Sequence, residues 1–340
     1  MKKCLFFILG LFIASLHFAE AQSADSLRLY VQECVSVMQR ESLYSNKVDW
    51  QRVKDTVQAR LARVNDARAA DELVIWVFDQ LKDYHGMYGG LDSSFRSRNP
   101  APGRIMSAGI LAAYKKPRAV KLAILDGGIA YYKMPAVLIG SNQAKMKEWA
   151  NLLMDSLCKL AAFNPKAYII DLRMNNGGNS EPMWQVIRLL AGDENKPLAA
   201  DASGHILPAD TSQATLQYQQ AAIPDRSCVV NRKVPVAVLI GPGTASSGEI
   251  MALAFTTRAR TRLFGEPSTG VGNATNGFVV HNKGYLLLTV NYMANAQKKV
   301  LKSGTVAPRV YINSAKDDFE NPQADPTVQA AYKWLQRQVR

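Results

Sequence analysis

The chain has 340 residues, 48% of them hydrophobic and 20% charged, with a formal net charge of +13. The length suits one large domain or a domain with a helical appendage and is enough for a full buried core. The basic residues are scattered without aromatic interleaving, so no nucleic acid is expected as a partner, and the charge leaves room only for peripheral contact with an anionic envelope surface.

The first residues read as a secretory signal: Lys2 and Lys3, an apolar run from Leu5 to Leu16, then small residues at Ala19-Glu20-Ala21 ahead of Gln22. The apolar run is shorter than the roughly 20 residues a membrane-spanning helix needs, and no later stretch reaches that length, so no transmembrane segment is expected. Cys4 lacks the preceding small residues of a lipid-anchor site. Cleavage after residue 21 and a periplasmic or secreted location in a bacterial envelope are therefore the expectations.

Residues 22–100 are expected to form an N-terminal helical segment. Its apolar residues recur at helical spacing: Leu27, Val31, Val35 and Met38; Val53, Val57 and Leu61; Leu73, Trp76, Val77 and Leu81. Asp49 suits an N-cap, and Gly86, Gly89 and Gly90 end the third helix just beyond His85. Residues 91–118, with three prolines, read as connecting structure with at most one short element.

An α/β layered core is expected over residues 101–340, because strand and helix patterns alternate there. Strands are predicted at 120–125, 129–134, 167–172, 235–240, 262–265 and 285–291, and helices at 144–162, 181–191 and 247–257. The stretch 193–232 is polar and aperiodic and reads as a lid, a substrate-facing excursion or a variable loop. Beyond Cys4, only Cys34, Cys158 and Cys228 occur. An odd number cannot make a full disulfide framework, so structural thiols with room for one pair are expected. No metal-ligand spacing is present, and neither a metal nor a cofactor is expected.

Two segments carry chemistry. In the first, an apolar strand from Val236 runs through Gly241-Pro-Gly-Thr-Ala-Ser246-Ser-Gly-Glu249 into a helix, placing a serine at a helix N-terminus. Free N–H groups and the helix dipole favour a developing oxyanion there, although capping is the everyday role of serines at such a place. In the second, the strand ending at Asp171-Leu-Arg173 passes into Asn175-Asn176-Gly177-Gly178, whose glycines let backbone amides approach a ligand. Asp171 and Arg173 are read as an ion pair bracing that turn. A serine nucleophile needs a base, and the histidines beyond the signal are His85, His205 and His281. His281 falls in a hairpin turn and His205 in the excursion, which leaves His85. An α/β-hydrolase elbow is disfavoured, because Thr244 stands where that motif has its first glycine.

Together these segments resemble the tail-specific (carboxyl-terminal processing) serine peptidases, in their tricorn-like branch that uses histidine and lacks a PDZ insert. The resemblance runs through Val48-Asp49-Trp50, Leu81-Lys-Asp83-Tyr-His85, the Asp171–Gly178 turn with Pro182-Met183, Gly243–Glu249, Phe264-Gly-Glu266-Pro-Ser-Thr-Gly270 and Gly304-Thr-Val-Ala-Pro308. It implies a crotonase-like α/β spiral, peptide or protein substrates, Ser246 as nucleophile, His85 as general base, and an oxyanion hole from Gly177 or Gly178 with Ser247. Val271 stands where members with a serine–lysine pair carry the lysine. Lys302 stands where histidine-dependent members have an acidic residue. The third member of the triad is thus unassigned, with Asp83, Glu266 and Asn273 as candidates, and a catalytically silent peptide-binding or scaffold protein is the alternative reading.

Overall fold

The computed structural model describes residues 23–96, 106–140 and 142–339. The predicted signal and the predicted boundary at residue 100 lie outside the described residues. Helices α1 (Ala24–Glu41), α2 (Trp50–Leu61) and α3 (Ala67–Gln80) open the chain, each begun by a side chain that accepts a backbone N–H: Ser23, Asp49 and Asp66. Strands β1 (Met87–Gly89) and β2 (Ser94–Arg96) and helix α4 (Ala108–Tyr114) follow. The connecting stretch thus holds two elements, β2 and α4, where at most one was expected; both are too short to leave a periodic pattern.

The core then alternates: β3 (Lys121–Leu125), β4 (Ile129–Lys133), α5 (Gln143–Ala161), β5 (Ala167–Asp171), α6 (Ser180–Ala191), β6 (Leu198–Ala200), α7 (Gln213–Ala221), β7 (Val236–Ile240), α8 (Ser247–Ala254), β8 (Thr261–Gly265), β9 (Ala274–Val280), β10 (Gly284–Ala294), β11 (Val310–Tyr311) and α9 (Pro326–Gln338). One sheet has the order β11-β8-β7-β5-β4-β3, parallel except for β3 against β4. The other joins β2, β1, β10 and β6, with β9 also paired to β10.

Both faces of the six-stranded sheet are covered, which is why β5 and β7 are apolar at every position save Asp171. Tyr168, Ile170, Val236, Val238 and Ile240 pack with residues of α5, α6 and α8, and Ile169, Ala237 and Leu239 pack with Val328, Ala331, Trp334 and Leu335 of α9. The opening helices bury their faces against Tyr88 of β1 and Val280, Leu286 and Leu288 of the β9–β10 hairpin, so this second core is built from both ends of the chain.

Cys158 on α5 is bonded to Cys228, and Cys34 is free and buried. The stretch 193–232, aperiodic in sequence, contains β6 and α7 and is tied to α5 by that bond. Among the described residues no helix is long and apolar enough to cross a membrane, and no group of three His, Cys, Asp or Glu could hold a metal ion.

Candidate functional site

Strands β5 and β7 are adjacent and parallel, with Asp171 paired to Leu239, so the turns that follow them emerge side by side at one end of the sheet. Backbone and side-chain bonds lace the two turns together. Ala245 N–H donates to the Asn175 carbonyl at 3.0 Å, Thr244 Oγ1 to the Leu172 carbonyl at 2.9 Å, and Ser247 Oγ to the Gly178 carbonyl at 2.6 Å.

Ser246 sits at the start of α8 with φ +53° and ψ −122°, a backbone conformation costing a non-glycine residue about 1–3 kcal/mol. Gly177 and Gly178 have φ of +100° and +98°, and a Cβ on Gly177 would lie 2.7 Å from that of Ser246. Gly177 commits its N–H to Asn175 Oδ1 at 3.0 Å. The N–H groups of Gly178 and Ser247 have no acceptor among the described residues, and Gly178 is exposed. The turn also leaves Asn176 Oδ1 buried and unpartnered there.

Beneath the turn, Arg173 is buried against three carboxylates. It donates to both Asp171 oxygens at 3.0 and 2.7 Å, to Asp317 at 2.6 Å and to both oxygens of Asp325 at 2.9 Å. Burial opposes the charge of Asp171, but Arg173 outweighs it and holds this carboxyl below the usual range. Asp325, with burial dominant, is pushed up to about 6. The expected Asp171–Arg173 brace is therefore present, and it also anchors the segment leading into α9.

His85 lies between α3 and β1. Asp83 fixes this turn from below: its Oδ1 accepts the N–H groups of His85 and Gly86 at 3.1 and 3.0 Å, and its carboxylate takes the N–H and hydroxyl of Thr289 on β10, both at 2.8 Å. Asp71 of α3 holds the next turn by accepting the N–H groups of Leu91, Asp92 and Ser93. Burial lowers the His85 pKa and the nearby charge of Arg96 adds to this, while Asp83 and the Asn273 backbone act in the opposite direction. The ring's Nδ1 is buried with no hydrogen-bond partner among the described residues.

Of the three candidates to orient that ring, Asp83 bonds the backbone of His85 and not its Nδ1. Asn273 acts on the imidazole through its backbone, raising its pKa, and turns its side-chain oxygen to the Met293 N–H at 3.2 Å. Glu266 is engaged with Tyr311 and Ser314 at the β8–β11 edge. The other histidines sit elsewhere: His281 pairs with Glu33 at 2.7 Å, and His205 is 82% exposed beside Asp201.

Glu249 carried no expected role in the sequence, although Ser246-Ser-Gly-Glu249 is a visible capping-box pattern. It is fully buried and accepts four hydrogen bonds, from Ser246 N–H at 2.8 Å, Ser268 Oγ at 2.5 Å, Gly270 N–H at 2.7 Å and Val271 N–H at 3.0 Å. Two residues on, the Asn273 backbone acts on the His85 imidazole, so the 268–273 loop runs from the serine turn to beside the histidine turn. The excursion approaches from the other side, where Asn179 Nδ2 donates to Tyr218 of α7 at 3.3 Å.

A serine at positive φ between a parallel strand and a helix, beside a turn with free amides, is the arrangement of a serine hydrolase. Residues 128–312, over half of the chain, match the family described as Peptidase family S41. The chain belongs to that family and is a serine-type peptidase. It is 23% identical over 313 residues to the nisin-resistance protein of Lactococcus lactis subsp. lactis, covering 92% of this chain and 87% of that one. Its fold is similar to that of a lipoprotein from Streptococcus agalactiae, with TM-score 0.69 and 16% identity over 98% of this chain and 99% of that one. It is also similar to the photosystem II D1 C-terminal processing protease, with TM-score 0.57 and 14% identity over 85% and 93% of the two chains. The mixed α/β core with its N-terminal helices is thus the S41 protease fold.

Proposed function

We propose that this chain is an exported peptidase that cleaves peptides or proteins of the bacterial envelope or its surroundings, with Ser246 as nucleophile and His85 as general base. The observation carrying this reading is the strained Ser246 turn, laced to the Gly178 turn and joined through the 268–273 loop to His85. Burial keeps the imidazole neutral near pH 7, as a proton acceptor must be. His85 takes the hydroxyl proton, Ser246 attacks the carbonyl carbon, and the Gly178 and Ser247 N–H groups receive the oxyanion. Gly177 drops out of the hole because its N–H is already engaged. The protonated imidazole then releases the amine, and water hydrolyses the acyl-enzyme.

Export is supported by the signal-like first 21 residues and by the Cys158–Cys228 bond, which persists in oxidising compartments. The lipoprotein likeness favours an envelope location in the same way. The relative named for nisin resistance spans nearly the whole chain, so nisin is the first substrate to try. A crotonase-like spiral for the core is part of the same reading. The unpartnered Nδ1 of His85 favours a second reading, a silent family member that binds peptides without cleaving them.

Labelling of the mature protein with a fluorophosphonate separates the two. The parent is expected to label, Ser246→Ala to lose labelling altogether, and His85→Ala to react about 10²–10⁴-fold more slowly. A parent that stays unlabelled beside a reactive control hydrolase would establish the silent reading, and labelling that survives Ser246→Ala would remove Ser246 from the site.

A further inference from the structure

Resting on that assignment of Ser246 and His85, we infer that Glu249 is the positioning residue of the site: its buried carboxylate holds the nucleophile's turn and the loop beside the base in one register. One carboxylate oxygen spans the two pieces of chain and the other holds the loop alone. Oε2 takes the N–H of Ser246 and of Val271, and Oε1 takes the hydroxyl of Ser268 and the N–H of Gly270. Ser268 Oγ in turn accepts the Val306 N–H at 2.8 Å, which ties in the segment following β10. Gly272 completes the fit, since a Cβ there would lie 2.9 Å from that of Glu249. A capping glutamate on an exposed helix serves only its own N-terminus. Here the same side chain reaches across to the loop whose Asn273 backbone acts on His85.

The arrangement works only with the charged form. Three of the four partners are N–H groups, which cannot accept a proton, and the fourth, Ser268 Oγ, already accepts from Val306. A proton on either carboxylate oxygen therefore displaces at least one of these bonds. The groups closing on the carboxylate, from α8 and from the 268–273 loop, carry no charge. With no cation to offset it, burial raises the Glu249 pKa to about 7. The pKa of His85 is lowered from its usual value of 6.5, so His85 takes up its proton below Glu249.

The test is the pH profile of kcat and of fluorophosphonate labelling for the parent, Glu249→Gln and Ser268→Ala, with thermal melts alongside. In the parent both rates are expected to fall as pH drops through about 7. Glu249→Gln carries an amide in place of one oxygen at every pH. It is expected to plateau 10- to 100-fold lower in kcat with KM within twofold, and to keep that plateau down to the lower range where His85 protonates. Ser268→Ala keeps the charge and loses two bonds, the one to Glu249 and the one from Val306, and is expected to lose about 3- to 10-fold in kcat. A folded Glu249→Gln with the parent's kcat and acid limb, or with its loss confined to KM, would overturn the inference. If Glu249→Gln does not fold, parent-like kcat in Ser268→Ala would do so. Absence of labelling in the parent would instead count against the assignment of the nucleophile.

Discussion

A Cβ on Gly178 would lie 2.1 Å from the Val137 carbonyl oxygen, and the residue has φ +98°, so space and backbone conformation both demand glycine. Gly178→Ala is expected to destabilise the fold by more than about 1 kcal/mol, read as a lower urea midpoint at unchanged slope. The pair of glycines in Asn175-Asn176-Gly177-Gly178 was legible as a close-approach turn, but which of them keeps a free amide was not. That depended on Asn175 folding its side chain back onto Gly177, a choice made by local geometry. Glu249 shows the same limit. Its capping pattern is local, whereas its bonds to Ser268, Gly270 and Val271 span 19 to 22 residues. A carboxylate whose pKa is raised contributes its stability below the unfolded-state value and loses it as pH rises through about 7. The charged form is therefore held at some expense of stability, as is common for groups serving a site.

Among the elements, the excursion between α6 and β7 is joined to α5 by Cys158–Cys228, a separation of 70 residues in sequence. Replacing both cysteines by serine is expected to lower stability by about 2–4 kcal/mol. Reductant should shift the denaturation midpoint of the parent and leave that of the double variant unmoved. The strands β4, β5, β7 and β8 and the helices α5, α6 and α8 fall within a few residues of their predicted limits, because apolar runs between glycine-bearing turns are strong local signals. Helix α9 was missed despite Asp325 as N-cap, Pro326 behind it, and Val328, Ala331, Trp334 and Leu335 on one face. Strand β10 runs to Ala294, three residues past its predicted end, because its last residues pair with β6 from the excursion. Such pairing leaves no trace in the local sequence.

At the scale of the whole molecule, the opening helices and the β9–β10 hairpin share one core, although some 200 residues separate them in the chain. A chain starting at residue 106 would expose Val280, Leu286 and Leu288 and lose the Asp83–Thr289 bonds. It is expected to show no cooperative thermal transition and to aggregate, whereas the full chain melts as one unit; circular dichroism and light scattering check this. What the sequence determined by itself was the alternation of elements, the serine and glycine turns at strand ends and the family. All of these rest on short-range patterns of polarity, capping and turn chemistry. The tertiary structure alone decided that α9 covers the second face of the sheet and that Asp83 grips backbone rather than ring. It also decided that Arg173 collects three carboxylates and that Glu249 bridges the serine turn and the loop at 268–271. Each of these is a contact between residues distant in the chain, set by how the sheets and helices close on one another, and no local pattern encodes that.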